Sequence, residues 1–254
     1  MRAPAYTEAG IIDFATAEAG VLTVNSLAVI HGSDLSYETK IRSAEDLLGG
    51  KYQTALPGAN VSVRMGGIAT PVEFASPKLI IFVVPANLAA GRSDVQVVRQ
   101  GVAGPRIRVE VRAERPLLYP AEDGFVLARH AESGEWIESR SPARPGEEVL
   151  LYAGGLGQLV PPLRELQAPL ARLPLEKGAA IRVWLDGVAF GRPWISYAGA
   201  VPGYAGIYEI RFRLPVAVSE DPEVRLTLEG LSCPAALRLP LRYATAQPEA
   251  ARPR

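Results

Sequence analysis

Two histidines are the first residues to test for chemistry. His31 stands beside Gly32, Ser33 and Asp34, the residue types of a Ser/His/Asp nucleophile set. The chain has no G-x-S-x-G elbow to present such a serine. A tight strand-to-turn transition with polar caps calls for the same four residues. His130, in LARHAESGEW, falls in a polar hairpin-like stretch and reads as a surface side chain. Asp34, Glu38, Glu45 and Asp46 collect within a short interval, but calcium needs several oxygens converging at a defined loop spacing. They read as a solvated acidic surface, with no metal expected. Gly154, Gly155 and Gly157 follow a strand in LYAGGLGQ. A phosphate cradle needs a helix N-terminus next; Pro161 and Pro162 come instead. Cys233 is the single cysteine and reads as a small buried hydrophobe. Trp194, Tyr197 and Tyr204 remain. On loops, such rings suit carbohydrate or protein recognition through their rigid area and polar tips; buried, they would plug the sandwich end or an interdomain cleft. No catalytic residue and no cofactor is expected.

Bulk properties narrow the partners. Residues 1–113 carry 11 Lys/Arg against 10 Asp/Glu, and residues 114–254 carry 16 against 17. Neither half has the basic excess that phosphate neutralisation requires, so nucleic acid is not expected as a partner. The lone cysteine excludes an internal disulfide framework, and the scarcity of Cys and His argues against a zinc site. LIIFVVP (79–85) is the longest apolar run and is too short to span a bilayer. The N-terminal MRAPAYTEAG lacks the pattern of a signal peptide.

The elements that must position these residues are strands. VLTVNSLAVIHG, NVSVRMGG, SDVQVVRQG, RIRVEVRA, AIRVWLDG, YEIRFRLP and EVRLTLEG mostly alternate apolar and polar residues, the mark of a strand half in a core and half in water. Most end in Gly or Pro, and no long helical segment separates them. This predicts an all-β fold of antiparallel sandwiches. One short helix is expected in RSAEDLLGG (42–50), with Ser43 as cap, Asp46 at the capping-box position and Gly49 as terminator. Residues 163–176 are broken by Pro169 and Pro174 and read as an irregular loop.

The two halves repeat. VRMGGIATPVEFASPKLIIFVVP (63–85) lies over VWLDGVAFGRPWISYAGAVPGYAGIYEIRFRLP (183–215). Gly67 matches Gly187, Phe74 falls near Trp194, and Pro85 matches Pro215; the longer second copy places its surplus in the GAVPGYAG loop. In the second copy Tyr208, Ile210, Phe212 and Leu214 take one strand face, and Glu209, Arg211 and Arg213 form a wet one. The equivalent strand of the first copy is apolar on both faces. Its outer face, Leu79, Ile81 and Val83, is therefore expected to pack against the other domain or a protein partner.

At these motifs the chain resembles the paired-domain C-terminal module found in many copies in Acidobacteria such as Solibacter, a module related to IPT/TIG immunoglobulin-like domains. The residues that carry the resemblance are GIIDFATAEAGVLTVNSLAVIHGSDLS (10–36), LPGANVSVRMGGIATPVEFASPKLIIFVVP (56–85), PARPGEEVLLYAGGLG (142–157) and GAVPGYAGIYEIRFRLP (199–215). Where the family has Gln-Ile-Asn inside its key strand, this chain has Leu79-Ile80-Ile81 and Glu209-Ile210-Arg211, and Asp13 replaces the Asn of its opening motif. The resemblance implies two tandem immunoglobulin-like sandwiches, residues 10–113 and 114–245, preceded by an extension (1–9) and followed by a flexible tail (246–254). It implies a non-enzymatic interaction or scaffold module with protein partners, in an extracytoplasmic setting: periplasmic, cell-surface or secreted. The alternative is a carbohydrate-binding module using Trp194, Tyr197 and Tyr204.

Overall fold

The computed structural model describes residues 2–233 and 237–243. The first half holds β1 (Ala5–Asp13), β2 (Val21–Thr23), β3 (Leu27–Ser33), β4 (Lys40–Ile41), β5 (Val61–Met65), β6 (Ile68–Thr70), β7 (Val72–Ala75), β8 (Leu79–Val83), β9 (Gly91–Arg99), β10 (Val102–Ala103) and β11 (Ile107–Arg112). The second holds β12 (Leu117–Leu118), β13 (Ala128–His130), β14 (Glu148–Gly154), β15 (Ile181–Leu185), β16 (Val188–Phe190), β17 (Ile195–Ala200), β18 (Tyr208–Arg213), β19 (Glu223–Leu228), β20 (Leu231–Ser232) and β21 (Leu237–Arg238). β1 takes in residues 5–9, which the sequence reading set apart as an extension. Residues 246–254 lie outside the described residues.

Immunoglobulin sandwiches place the first, second, fifth and fourth strands on one sheet and the third, sixth and seventh on the other. Both halves follow this order. Sheet β1-β3-β8-β7-β4 faces β2-β11-β9-β5-β6, and β12-β14-β18-β17 faces β16-β15-β19-β20. The strand pairs are antiparallel except β2 with β11, which run parallel. The fold is thus all-β, two tandem immunoglobulin-like sandwiches. Each has its own core. Ile30, Val63, Ile80, Phe82, Val95 and Val97 fill the first; Leu151, Val183, Ile210, Phe212, Leu226 and Leu239 fill the second. Among the described residues no helix is long and apolar enough to cross a membrane.

Register makes the repeat explicit. Gly66-Gly67 and Asp186-Gly187 all take positive φ and close equivalent two-residue hairpins, β5–β6 and β15–β16, as a type I′ turn demands. Val72 pairs Phe82 and Phe74 pairs Ile81, with a bulge between Val72 and Phe74. Ile195 pairs Phe212 and Tyr197 pairs Arg211, with the same bulge. The counterpart of Phe74 is therefore Tyr197, not Trp194. The correction follows from where the extra residues sit: some of the surplus lies between Gly187 and Ile195, and the rest in the loop between β17 and β18.

The expected helix is a single 3₁₀ turn, Ala44–Asp46, in which Ser43 N donates to Asp46 Oδ2 at 2.7 Å. Residues 163–176 are irregular. They reach one end of the face of β18 expected to be wet: Glu209 is buried and pairs with Arg172 at 2.8 Å, Arg211 is half-buried, and Arg213 stays exposed as expected.

Asp13 is fully buried. Its Oδ1 accepts from Ala15 N and Thr16 N, each at 3.0 Å, while Oδ2 has no hydrogen-bond partner. Burial pushes this carboxyl up, against the opposing pull of the Thr16 and Ala15 N–H groups. Between the unfolded and folded values the native state holds more protons, so stability falls as pH rises through that window. Asp13→Asn should flatten this decline, seen as a smaller loss of Tm between acidic and neutral pH in calorimetry.

Candidate functional site

The apolar outer face of β8 leads to the joint between the halves. Val83 is buried in a third apolar cluster with Leu27 and Tyr52 of the first half and Tyr119, Tyr152, Ala168 and Ala205 of the second. Ile81 is half-buried at its edge. Leu79, at the far end of the strand opposite His31, is half-buried and lies outside the cluster. Backbone pairing adds to the joint: Tyr52 N donates to Leu166 O at 2.8 Å and Ala168 N to Gly50 O at 3.0 Å. The irregular segment 163–176 thus supplies a short edge that the first half pairs with.

Around this cluster the first half grips the GAVPGYAG loop. Glu73 is the extra residue of the β7 bulge, a device that re-aims a side chain. Its Oε2 pairs with Arg42 Nε at 2.6 Å and its Oε1 accepts from the Tyr52 hydroxyl at 2.6 Å. These two partners hold the loop backbone. Arg42 donates to Gly203 O at 3.1 Å, and Tyr52 OH accepts from Ala205 N at 3.0 Å. The Arg42 guanidinium also stands 5.2 Å from the Tyr52 ring centroid and 5.0 Å from that of Tyr204, within cation–π range. Burial, then the Glu73 carboxylate, pushes the Tyr52 phenol up, so it stays a neutral donor.

Further along, Tyr119 OH donates to Gly206 O at 2.9 Å. Tyr208 OH donates to Gly157 O and accepts from Asn25 Nδ2 of the first half. Gly206 has φ +75°, and a Cβ there would meet Val83 Cγ1 at 2.9 Å. Only glycine suits both demands. The loop is a latch between sandwiches.

The three predicted aromatics do not share a surface. Trp194 precedes β17 and packs edge-on against Phe190, centroids 5.5 Å apart. Tyr204 follows β17 and lies against Arg42. A six-residue strand separates them, roughly 20 Å at about 3.3 Å per residue. Tyr197 is half-buried, its hydroxyl 3.0 Å from Leu173 O and 3.1 Å from Ala200 O; burial and the Glu209 carboxylate push its pKa up to about 12. Trp194 and Tyr204 remain 36% and 47% exposed, too far apart for one flat platform.

His31 is exposed. His130 is not a free surface residue: Nδ1 bonds Glu147, and Nε2 lies 3.2 Å from Ser141 O and 3.3 Å from Ser141 Oγ. These groups border a 1130 Å³ hollow, and the trio has the members of a catalytic triad. The Glu147 carboxylate only accepts, so Nδ1 donates to it, and Nε2 has Ser141 O and Oγ both within reach. Cys233 is buried. Among the described residues no group of three or more His, Cys, Asp or Glu is placed to hold a metal ion.

Arg42, Tyr52, Glu73 and Tyr119 went unread in the sequence. Only the bulge could have signalled them, and a bulge is invisible until strands are paired. No protein-family model matches the chain, and no curated protein matches it. Among solved structures it is similar to a surface glycan-binding protein, PbSGBP-B, from Prevotella bryantii, at 11% identity over 94% of this chain and 42% of that one, TM-score 0.30. It is similar also to the SGBP-B of the Bacteroides ovatus mixed-linkage glucan locus, at 9% identity over 88% and 44%, TM-score 0.36. A third is the tandem Ig repeats of Dlar, at 11% identity over 96% and 97%, TM-score 0.22. The chain spans less than half the length of the two glycan-binding proteins. Scores this low assign neither ligand nor activity.

Substitutions at the latch test its energetics. Gly206→Val combines a strained backbone with overpacking, together ~2–4 kcal/mol, and should lower Tm by roughly 5–10 °C. Arg42→Ala and Tyr52→Phe should each cost ~1 kcal/mol. Because both act through Glu73, the double variant should lose less than the sum of the singles in a double-mutant cycle.

Proposed function

We propose that the chain is a non-enzymatic interaction and scaffold module, a member of the paired C-terminal module family, working in an envelope or secreted assembly with protein partners. The observation that carries this reading is the joint. The loop that looked most like a recognition element is taken up in fixing one sandwich to the other, by an apolar cluster, a backbone pairing and a bidentate Glu73. A buried, hydrogen-bonded joint of this kind holds two domains at one angle, where a polar linker alone would let them move. Holding flanking parts at fixed distance and angle is what a scaffold does. The extracytoplasmic setting follows from the family resemblance. The carbohydrate-platform alternative draws no support from Trp194, Tyr197 and Tyr204, which point to different places.

Solution scattering should give the wild-type chain the dimensions of one rigid body, and Gly206→Val a broader distribution of interdomain distances. The wild type should recover the same protein partners from envelope fractions as Ser141→Ala, while Gly206→Val loses them. Labelling of Ser141 by a fluorophosphonate, or partner recovery indifferent to the latch, would overturn the proposal.

A further inference from the structure

The outer face of the β5-β9-β11 sheet carries an unbalanced set of arginines. Arg64 on β5, Arg92 on β9, and Arg106 and Arg108 at β11 line one trough of 470 Å³ with Asp94 and Gln96. Alternation along the strands sends these residues outward while Val63, Val95, Val97 and Val109 enter the core. The two acids of this face are already engaged: Asp94 pairs with Arg108 at 3.2 Å and Glu110 with Arg112 at 3.2 Å. Among the described residues no carboxylate pairs with Arg64, Arg92 or Arg106, and all three are exposed. Glu110 also stands across the strand pair from Arg92, but in a chain of zero formal net charge five arginines against these two acids on one sheet face form a local positive field, the kind that gathers anions.

We infer that this trough binds a linear polysaccharide bearing carboxylates. β5 and β11 flank β9, so Arg64 and Arg106 stand two strand spacings apart, ~10 Å. The planar fork of each arginine matches a carboxylate in bidentate fashion. The Gly66-Gly67 turn at one end of the trough has no side chain to stop an extended polymer running through. The lining excludes other occupants. It offers no aromatic or large apolar anchor, which a protein interface requires at its centre. Duplex DNA carries one charge per ~1.7 Å of axis and would press its phosphates onto Asp94; a chain charged once per sugar does not. The inference rests on the reading of the chain as a binding module and supplies one ligand class for it.

Titration calorimetry of the full chain with polygalacturonate oligomers tests this. Binding should be measurable at low salt, weaken as salt rises, and be absent with a neutral glucan. Arg64→Gln/Arg106→Gln should weaken it at least tenfold with Tm unchanged, since both side chains are exposed. Absence of binding at low salt, or affinity unchanged in the double variant, would sink the assignment. So would polyglutamate or duplex DNA binding as tightly as the uronate chain, the first indicating an acidic protein segment and the second a nucleic acid. Gly206→Val should keep the affinity, so loss of the scaffold reading and loss of this one give different results.

Discussion

One carboxylate governs the joint. Glu73 must hold Arg42 and Tyr52 at once, each through its own oxygen, and each of those then holds a backbone group of the latch loop. Remove the carboxylate and both arms lose their orientation, while a buried phenol and a half-buried guanidinium are left facing each other. Because these bonds are largely shielded from water, they are stronger than on the open surface, and an unmade one is correspondingly costly. The position of Glu73 depends in turn on a local defect in a strand. Val72 faces the core, and the bulge between Val72 and Phe74 leaves Glu73 as the extra residue that reaches the joint beside Phe74.

The second half has the same bulge, and Ser196 occupies the position of Glu73. Its hydroxyl donates to Glu148 at 2.7 Å on an exposed face, where a surface hydrogen bond contributes little. One backbone feature therefore serves two purposes, set by a single side chain and by whether a neighbour covers it. The loops differ likewise. Between β7 and β8 the chain turns through Ser76, Pro77 and Lys78, whereas between β17 and β18 it extends through residues 201–207 to become the latch.

Period-two alternation and glycine punctuation were enough to read the all-β class and the duplicated unit, because those patterns report which face of a strand is wet. The same logic singled out the doubly apolar strand of Leu79, Ile81 and Val83. It failed for Glu209: a charged residue in strand alternation is read as exposed unless something known to cover it is in view, and the cover is an irregular segment with no periodic signature of its own. It failed for Trp194 because aromatic identity is a poor register marker across a gap; the hydrogen-bonded pairing puts Tyr197 opposite the equivalent residue. Arg42, Tyr52 and Glu73 are scattered over thirty-odd positions and share no motif, so only their convergence in space identifies them. The arginines of the trough were equally hidden, since a half-chain charge balance averages away an excess confined to one sheet face.

The latch also makes the pair directional. The first half contributes the grip and the second the tongue; neither possesses both. A third sandwich appended after the second would meet no Glu73-like grip there, and one placed before the first would find only the short Ser76–Lys78 turn to hold. The contact therefore runs one way through the pair, from the grip of the first half to the tongue of the second.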